Sequence, residues 1–241
     1  MRERWVMAAA DTSKRMTWLR DLRRDNERQE HALADVFDAN WGEIEPDHES
    51  FVHRFLSRLP PAGRVLDAAC GTGKYFGMVL AAGHLLLGVD QTGGYLEVAR
   101  KKFPEVPTEK RDLEELPYEN EFDGVMCVDA MEFVPPEEWP RVLQSFHRSL
   151  HPEGWLYLTV ERAAEHLLRE ANDAARRTGL PVVAGEAIWG QPDGYYHYHP
   201  AMERVREWVA ASGFVIEHEK ESPWVDDEYS YHHLLARALA P

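Results

Sequence analysis

Short apolar runs recur along the chain, and between them apolar residues return every three or four positions. The clearest runs cover 84–89, 122–128 and 155–160. Runs of this kind are typical of buried strands, while the intervening period is typical of amphipathic helices. Strands that alternate with helices predict an α/β fold built around a mostly parallel sheet.

The residues before the first predicted strand have a helical pattern. Residues 1–30 carry eight Arg or Lys against six acids, a local net charge of +2, and a second helical pattern follows at 47–59. We therefore predict an N-terminal helical cap at 1–60 and a main domain at 61–241. The cap is expected to pack on the domain or on a second subunit, so a homodimer through the N-terminal helices is an open alternative.

The stretch 64–75, RVLDAACGTGKY, predicts a strand, a tight turn and the start of a helix. Gly71 and Gly73 lack a Cβ, so the turn can take positive φ and a ligand can lie against its backbone. A phosphate-binding P-loop is not favoured, because Ala68 stands where its first glycine belongs. A dinucleotide fingerprint is not favoured either, because its third glycine would fall at Phe76.

Three acids accompany the first three predicted strands: Asp67, Asp90 and Asp112. The carboxyl ends of parallel strands meet at one edge of a sheet, so we expect these side chains at the same rim. An acid at the end of the second strand can accept hydrogen bonds from both hydroxyls of a ribose. Such charge-assisted bonds are typically worth ~1.5–3 kcal/mol.

The run VLDAACGTG resembles the cofactor loop of the class I S-adenosylmethionine-dependent methyltransferases, with Ala69 where that family most often has a glycine. Phe122-Asp123 before a buried run, and HPEGWLYLTV at 151–160, are similar to further motifs of that family. The resemblance spans about residues 32–240. It implies a seven-stranded, mostly parallel Rossmann-like sheet with an antiparallel edge strand. It also implies helices on both faces, an N-terminal helical extension and a lid insertion.

The same resemblance implies that S-adenosylmethionine is the cofactor. Asp90 would accept from the ribose hydroxyls, Asp112 would accept from the adenine amine, and the backbone of Leu113 would contact the ring. An aromatic residue in the preceding helix, here Trp41, often touches the cofactor in this family. The implied cofactor-binding residues are Trp41, Asp67, Ala69, Gly71, Gly73, Asp90, Gln91, Asp112, Leu113 and Val128.

The resemblance also indicates where a methyl acceptor would bind, namely beside the exit of the fourth strand and under a lid at about 179–200. That exit reads DAME at 129–132, whereas enzymes that methylate base amines generally show [DNS]PP[FYW], which argues against nucleobase amines. The lid is rich in aromatic residues, which suggests a small organic acceptor with a ring or an apolar body. The predicted acceptor contacts are Met131, Trp189, Tyr195 and Tyr196.

Methylation of a hydroxyl or an ammonium requires a base that takes a proton. The candidates are His197, His199 and Glu132, the histidines because their pKa lies near neutrality. The run YYHYH at 195–199 is equally compatible with a strand whose side chains alternate between packing and exposure. The two histidines are also possible metal ligands, but no acid lies at a telling spacing, so no metal site is predicted.

Composition narrows the partners and the compartment. The net charge of −15 repels phosphate backbones and anionic lipids, so neither nucleic acid nor a membrane is an expected partner. No apolar run is long enough for a membrane span, and the N-terminus is a poor secretory signal. Cys70 and Cys127 are not in CxxC spacing, which favours a reducing, cytoplasmic setting. His232 and His233 are predicted to be surface residues of an edge strand.

The function that these observations favour is transfer of a methyl group from S-adenosylmethionine to an O or N atom of a small organic molecule. The products would be the methylated molecule and S-adenosylhomocysteine. Two alternatives stay open from the sequence. One is a cofactor-binding protein of the same fold without turnover, weakly favoured by Ala69. The other is a nucleotide-dependent oxidoreductase, disfavoured by Phe76 and by the three acids.

Overall fold

A seven-stranded sheet organises the chain in the computed structural model, which describes residues 9–190, 194–224 and 228–240. A separate two-stranded hairpin lies beside it. In chain order the strands are β1 (Arg64–Ala68), β2 (Leu85–Asp90), β3 (Thr108–Lys110), β4 (Phe122–Cys127), β5 (Leu150–Ala163), β6 (Glu186–Trp189), β7 (Tyr195–Tyr198), β8 (Phe214–Trp224) and β9 (Tyr229–Ala238).

The strands of the large sheet have the order β3-β2-β1-β4-β5-β9-β8. Neighbours from β3 to β5 are parallel, and β9 is antiparallel to both β5 and β8. The predicted seven-stranded, mostly parallel sheet is therefore confirmed, and its antiparallel strand β9 lies between β5 and the edge strand β8. The strand order reverses between β1 and β4, and at such a point the carboxyl ends of the strands leave a crevice.

Helices cover both faces of the sheet, as predicted. Because side chains alternate along a strand, Val65 packs with α3, α4 and α5, whereas the next residue, Leu66, packs on the side of α6 and α8. The helices are α1 (Ala9–Leu33), α2 (Phe37–Trp41), α3 (Pro46–Leu56), α4 (Phe76–Ala81), α5 (Gly93–Lys102), α6 (Trp139–Ser149), α7 (Glu165–Arg177) and α8 (Met202–Ala211).

The N-terminal helix α1 packs on its own chain, against α5 and the hairpin strand β7. Arg15 is only 2% exposed and donates hydrogen bonds to both carboxylate oxygens of Glu186, at 3.0 and 2.7 Å. It also donates to Glu137 and to the carbonyl oxygen of Pro181. These bonds tie α1 to β6. Residues 1–8 of the predicted cap lie outside the described residues, and the homodimer stays a prediction.

The predicted lid at about 179–200 contains a regular hairpin, β6–β7. The hydroxyl of Tyr196 donates to Glu186 at 2.7 Å, and its ring meets Trp18 of α1 edge to face at 6.0 Å. Residues 191–193 of the lid lie outside the described residues. The strand β5 extends beyond the apolar run 155–160 to Ala163, in register with β9, and α7 begins after it at Glu165.

The prediction that His232 and His233 are surface residues is wrong. Both are buried, because β9 lies inside the sheet and not at its edge. The ring of His233 stacks on Phe51 at 4.7 Å, and its Nδ1 lies 3.0 Å from the hydroxyl of Tyr157. Burial lowers the pKa of His233 to about 3, so this histidine is neutral and has a packing role.

Two further sequence expectations concern cysteines and membrane spans. Cys70 and Cys127 are both buried free thiols. None of the helices within the described ranges combines the length and the apolar character that crossing a bilayer requires.

Candidate active site

The turn after β1 uses its two glycines for different purposes. Both have positive φ, +52° at Gly71 and +80° at Gly73. A Cβ at Gly71 would meet no atom within 4 Å, so this position faces open space, as an approaching ligand requires. A Cβ at Gly73 would lie 2.9 Å from the ring of Phe76, so that glycine allows close packing instead. Ala69 also has a positive φ, +67°, the conformation that the glycine usual in the resembling family adopts readily.

Asp90, at the end of β2, holds this turn against the sheet. One carboxylate oxygen accepts from the backbone N–H of Gly71 at 2.9 Å, and the other accepts from that of Thr92 at 2.7 Å. Burial raises the pKa of Asp90 to about 6, against the opposing effect of these two N–H groups. Each carboxylate oxygen has a second lone pair, so Asp90 can still accept from the two hydroxyls of a ribose.

Asp67 lies in β1 behind the turn and is fully buried, so it does not reach the cavity that Asp90 lines. Burial, together with the nearby charge of Asp90, raises the pKa of Asp67 to about 8. Its Oδ2 is without a hydrogen-bond partner among the described residues. A positively charged ligand bound nearby would oppose these shifts and favour the ionised form of both carboxyl groups. S-adenosylmethionine carries two such charges, on its sulfonium and its ammonium.

Asp112 lies just beyond β3, at the same rim as Asp90, and lines the same cavity. Its side chain accepts from the backbone N–H of Glu114 at 3.0 Å and so caps the turn that contains Leu113. Arg23 of α1 lies 3.2 Å from the carboxylate of Asp112 and also contacts Glu114. The acid predicted to accept from an adenine amine is therefore shared with a cation of the N-terminal helix.

The N-terminal helices supply a wall of the cavity that the sequence does not predict in detail. Glu30 of α1 accepts a hydrogen bond from the hydroxyl of Tyr95 on α5, and both side chains line the cavity. Trp41, at the end of α2, lines it as well and packs against Phe37 at 5.3 Å. The predicted position of Trp41 near the cofactor is thus compatible with the structure.

Asp129 follows β4, lines the same cavity and has a φ of +52°. Its Oδ1 lies 2.9 Å from Nε2 of His48, and its backbone N–H donates to the hydroxyl of Thr159 at 2.8 Å. Burial alone would raise the pKa of Asp129, but His48, Lys74 and Thr159 outweigh it and hold that pKa below its usual value. Asp129 is therefore a carboxylate that keeps its charge at neutral pH, with 26% of its side chain exposed.

Glu132 and Met131, predicted to face the transferred group, differ in orientation. Glu132 lines the cavity, but burial and the charges of Glu161 and Asp129 raise its pKa far above the usual value. Its surroundings therefore favour the protonated form, which makes Glu132 a poor base. Met131 is wholly buried in the core behind the short turn of residues 131–133, so its predicted contact with an acceptor is wrong.

Alternation along β7 decides which lid residues reach the cavity. Tyr195 and His197 face it together with Trp189 of β6, whereas Tyr196 faces the core and bonds Glu186. The predicted acceptor contact of Tyr196 is therefore wrong, while those of Tyr195 and Trp189 stay predictions. His197 packs edge to face on Phe133 at 4.9 Å.

His199 lies just beyond β7 and outside the cavity wall. Its Nδ1 is 3.3 Å from the carbonyl oxygen of Glu161, and its ring meets Trp189 at 5.9 Å. Burial lowers the pKa of His199 to about 4. A base must be within hydrogen-bond reach of the proton it takes, so the prediction of His199 as the base is wrong.

These side chains surround one cavity of about 670 Å³, within the range of ~300–1,000 Å³ typical of small-molecule sites. The cavity runs from Asp90 and Asp112 to Asp129 and the hairpin. Predicted residues that line it are Trp41, Ala69, Gly71, Asp90, Gln91, Asp112, Leu113, Val128, Glu132, Trp189, Tyr195 and His197. Predicted residues that do not are Asp67, Gly73, Met131, Tyr196 and His199.

The sequence interpretation missed His48 and Glu161, which also line the cavity. His48 falls on the buried face of α3 with Phe51, Val52 and Phe55, and a histidine at that helical spacing was a usable signal. Glu161 lies in β5 just beyond the end predicted for the fifth strand, and no spacing links it to the lid.

Known proteins of similar sequence agree with the α/β fold and with the glycine-containing turn after β1. Residues 65–154 match a family described as a methyltransferase domain. An uncharacterized methyltransferase of Oceanobacillus iheyensis is 24% identical over 67% of this chain and 74% of the relative. The dTDP-4-amino-2,3,4,6-tetradeoxy-D-glucose N,N-dimethyltransferase of Saccharopolyspora spinosa is 28% identical over 50% of this chain and 51% of the relative. This chain thus spans only about half of that second relative. The relatives also include a tRNA methyltransferase of Arabidopsis thaliana and a probable tRNA methyltransferase of Bos taurus.

Solved structures show the same architecture. The Burkholderia thailandensis 1,6-didemethyltoxoflavin-N1-methyltransferase, crystallised with 1,6-didemethyltoxoflavin and S-adenosylhomocysteine, has a TM-score of 0.68. It is 18% identical, and the alignment covers 97% of this chain and 92% of the other. Residues 65–154 of this chain are thus similar to a methyltransferase domain, and the chain has the fold seen in S-adenosylmethionine-dependent methyltransferases.

Proposed function

We propose that this protein transfers a methyl group from S-adenosylmethionine to an O or N atom of a small organic molecule. The observation that carries the proposal is one continuous cavity of about 670 Å³ with two chemically different ends. We call the part lined by Gly71, Asp90 and Asp112 the cofactor end. We call the part lined by Asp129, Glu132, Phe133, Trp189 and His197 the acceptor end.

At the cofactor end, Asp90 is suited to accept from the ribose hydroxyls while it fixes the turn at Gly71. Asp112 is suited to accept from the adenine amine, and Gly71 leaves room for a ligand against the backbone. S-adenosylmethionine, when bound, supplies a methyl group that its sulfonium has already activated. The protein's task is then to orient the acceptor and to exclude water.

At the acceptor end, Asp129 is suited to orient a hydroxyl or amine because its carboxylate stays ionised and partly exposed. The rings of Phe133 and Trp189 are suited to hold an apolar body and to keep water out. Of the three predicted bases, His197 alone combines a position in the cavity wall with a ring that is not deeply buried.

The surroundings of the cavity favour a small acceptor over a polynucleotide. Residues 1–60 would act as a cap, and residues 179–200 would act as a lid that encloses the acceptor end. Acidic side chains line the wall, including Asp129 and Glu161, and the whole chain has a net charge of −15. Such a surface repels a phosphate backbone, although some relatives are named tRNA methyltransferases.

A methyl-transfer screen tests the proposal. The full chain is incubated with S-adenosylmethionine labelled on the methyl group and with panels of small amines, phenols and hydroxy acids, or with unmodified bulk tRNA. We expect label on at least one small molecule and none on tRNA. Label on tRNA alone would overturn the choice of acceptor.

A binding measurement separates the two alternatives from the sequence. S-adenosylhomocysteine should raise the melting temperature, whereas NADH should not, and the reverse result would favour an oxidoreductase. Binding of S-adenosylhomocysteine without transfer to any acceptor of the screen would favour a cofactor-binding protein without turnover.

A further inference from the structure

A group of three potential metal ligands lies where the lid hairpin meets the main sheet. Glu161 belongs to the end of β5, His197 to β7, and His199 follows β7 directly. One ligand atom from each of the three side chains lies within 4.8 Å of the others. The closest pair is Nδ1 of His197 and Oε2 of Glu161, at 2.7 Å.

The polar atoms of this group are not satisfied by the protein. Glu161 Oε2, His197 Nδ1 and His199 Nε2 have no hydrogen-bond partner of adequate geometry among the described residues. Glu161 and His199 are each only 5% exposed. A buried polar atom left without a partner is costly, and such atoms are rare in native proteins. A ligand that accepts or shares electron pairs from all three atoms would remove that cost.

An ion pair within the protein does not remove the deficit. If the 2.7 Å contact between Nδ1 of His197 and Oε2 of Glu161 is a hydrogen bond, two of the three atoms are accounted for. Nε2 of His199 still has no partner among the described residues, and neither has Oε2 of the neighbouring Glu132.

We propose that Glu161, His197 and His199 bind a divalent transition-metal ion. Two imidazole nitrogens and one carboxylate oxygen are a donor set that suits Zn²⁺ and Fe²⁺. Ca²⁺ and Mg²⁺ prefer oxygen ligands throughout, so they are not the expected occupants. The histidines lie two residues apart, so on an extended chain they project to the same side, towards the end of β5.

The position of the site gives the ion a role. Glu161 and His197 line the acceptor end of the cavity, so an ion held by the three ligands would lie beside the acceptor and would have coordination positions to spare. An oxygen or nitrogen of the acceptor could take one of these positions, and His197 would then act as a ligand and not as a base. This role rests on the proposed function, whereas binding of the ion does not.

The sequence pointed to the two histidines as possible ligands but not to the acid that completes the group. The histidine pair has no acid at a spacing typical of metal motifs, because Glu161 precedes His199 by 38 residues. Only the placement of the hairpin beside the end of β5 brings the three ligands together.

Metal binding is measured on the untagged full chain after chelator treatment. Zn²⁺ or Co²⁺ is titrated without cofactor or acceptor, the stoichiometry is read by elemental analysis, and Co²⁺ coordination is followed by visible absorption. The variants are Glu161→Gln and His197→Gln, with His53→Gln as control, since His53 is an exposed histidine of α3. Melting temperatures without metal establish that each variant folds.

We expect one ion per chain, a Co²⁺ spectrum typical of nitrogen and oxygen ligands, and affinity at least about tenfold weaker in both site variants. His53→Gln should bind as the wild type does. Absence of stoichiometric binding, or equal binding by wild type and His197→Gln, would overturn the proposal. The side chain of His197 is more exposed than that of Glu161, so His197→Gln is expected to fold even if Glu161→Gln does not. S-adenosylhomocysteine binding to the metal-free chain is a separate measurement, so failure here leaves the methyl-transfer proposal standing.

Discussion

The two ends of the cavity are constructed in different ways. The cofactor end is formed by short connections at the ends of neighbouring parallel strands, and Asp90 fixes the turn at Gly71 by a direct hydrogen bond of 2.9 Å. The acceptor end collects side chains from distant segments, among them His48 of α3, Asp129 after β4 and the hairpin β6–β7. Contacts between residues far apart in sequence hold it together.

The two ends of the cavity are therefore held in place by different contacts. The turn and Asp90 depend on the register of β1 and β2, which the whole sheet core enforces. The hairpin depends on contacts with separate segments, such as the packing of Tyr196 on Trp18 and the ion pair of Arg15 with Glu186. Changes at Arg15 should therefore loosen the acceptor end first, and changes at Asp90 should affect the cofactor end alone.

The largest expected effect is that of Arg15→Met. Glu186 is wholly buried, and loss of its cationic partner leaves an uncompensated charge, which typically costs about 3–5 kcal/mol. We expect a loss of that order in the free energy of unfolding, measured with urea. Hydrogen exchange should rise in β6 and β7 more than in β1 and β2. The exposed Arg20→Met on the same helix should change little. Equal stability of Arg15→Met and wild type would contradict the role of this contact.

Asp90→Asn should weaken S-adenosylhomocysteine binding about 10- to 100-fold, because charge-assisted hydrogen bonds to the ribose are worth ~1.5–3 kcal/mol. Isothermal titration calorimetry measures the change. Glu97→Gln, at an exposed position of α5, is the matched control. An unchanged dissociation constant for Asp90→Asn would mean that the ribose lies elsewhere.

The affinity for S-adenosylhomocysteine should also depend on pH through Asp90. The pKa of this buried carboxyl is raised to about 6, so the ionised form that accepts from both hydroxyls is lost as the pH falls through that value. Affinity should therefore weaken about tenfold between pH 7 and pH 5, as expected for one proton. The same titration with Asp90→Asn should be nearly flat. A wild-type affinity that rises towards low pH would have the wrong sign for this account.

The smallest expected effect is that of Ala69→Gly. The left-handed conformation of Ala69 costs about 1–2 kcal/mol, and glycine removes that cost but adds about 0.4–1 kcal/mol of unfolded-state entropy. The net gain of about 0–1.6 kcal/mol corresponds to a rise in melting temperature of at most about 6 °C. Thermal unfolding monitored by circular dichroism resolves such a shift, and a clear decrease would show that Ala69 makes contacts that favour alanine.

The sequence predicted the cofactor end better than the acceptor end, for physical reasons. Glycine spacing and acids at strand ends are local signals, and Gly71, Asp90 and Asp112 do share one cavity. Burial is not local: Asp67 belongs to the same motif but lies behind the turn.

At the acceptor end, the direction of each side chain depends on structural details that the sequence pattern does not reveal. The phase of β7 sends Tyr195 into the cavity and Tyr196 into the core. The burial of His233 follows from the insertion of β9 between β5 and β8, which no spacing in the sequence encodes. The ligand group at Glu161 has the same origin, since it depends on where the hairpin packs.

A crystal structure of the full chain with S-adenosylhomocysteine would test most directly whether the two ends form one site. The account predicts ribose hydroxyls at Asp90 and a sulfur atom directed towards Asp129 and the ring of Phe133. A ligand bound outside this cavity, or bound with its sulfur directed away from Asp129, would contradict it.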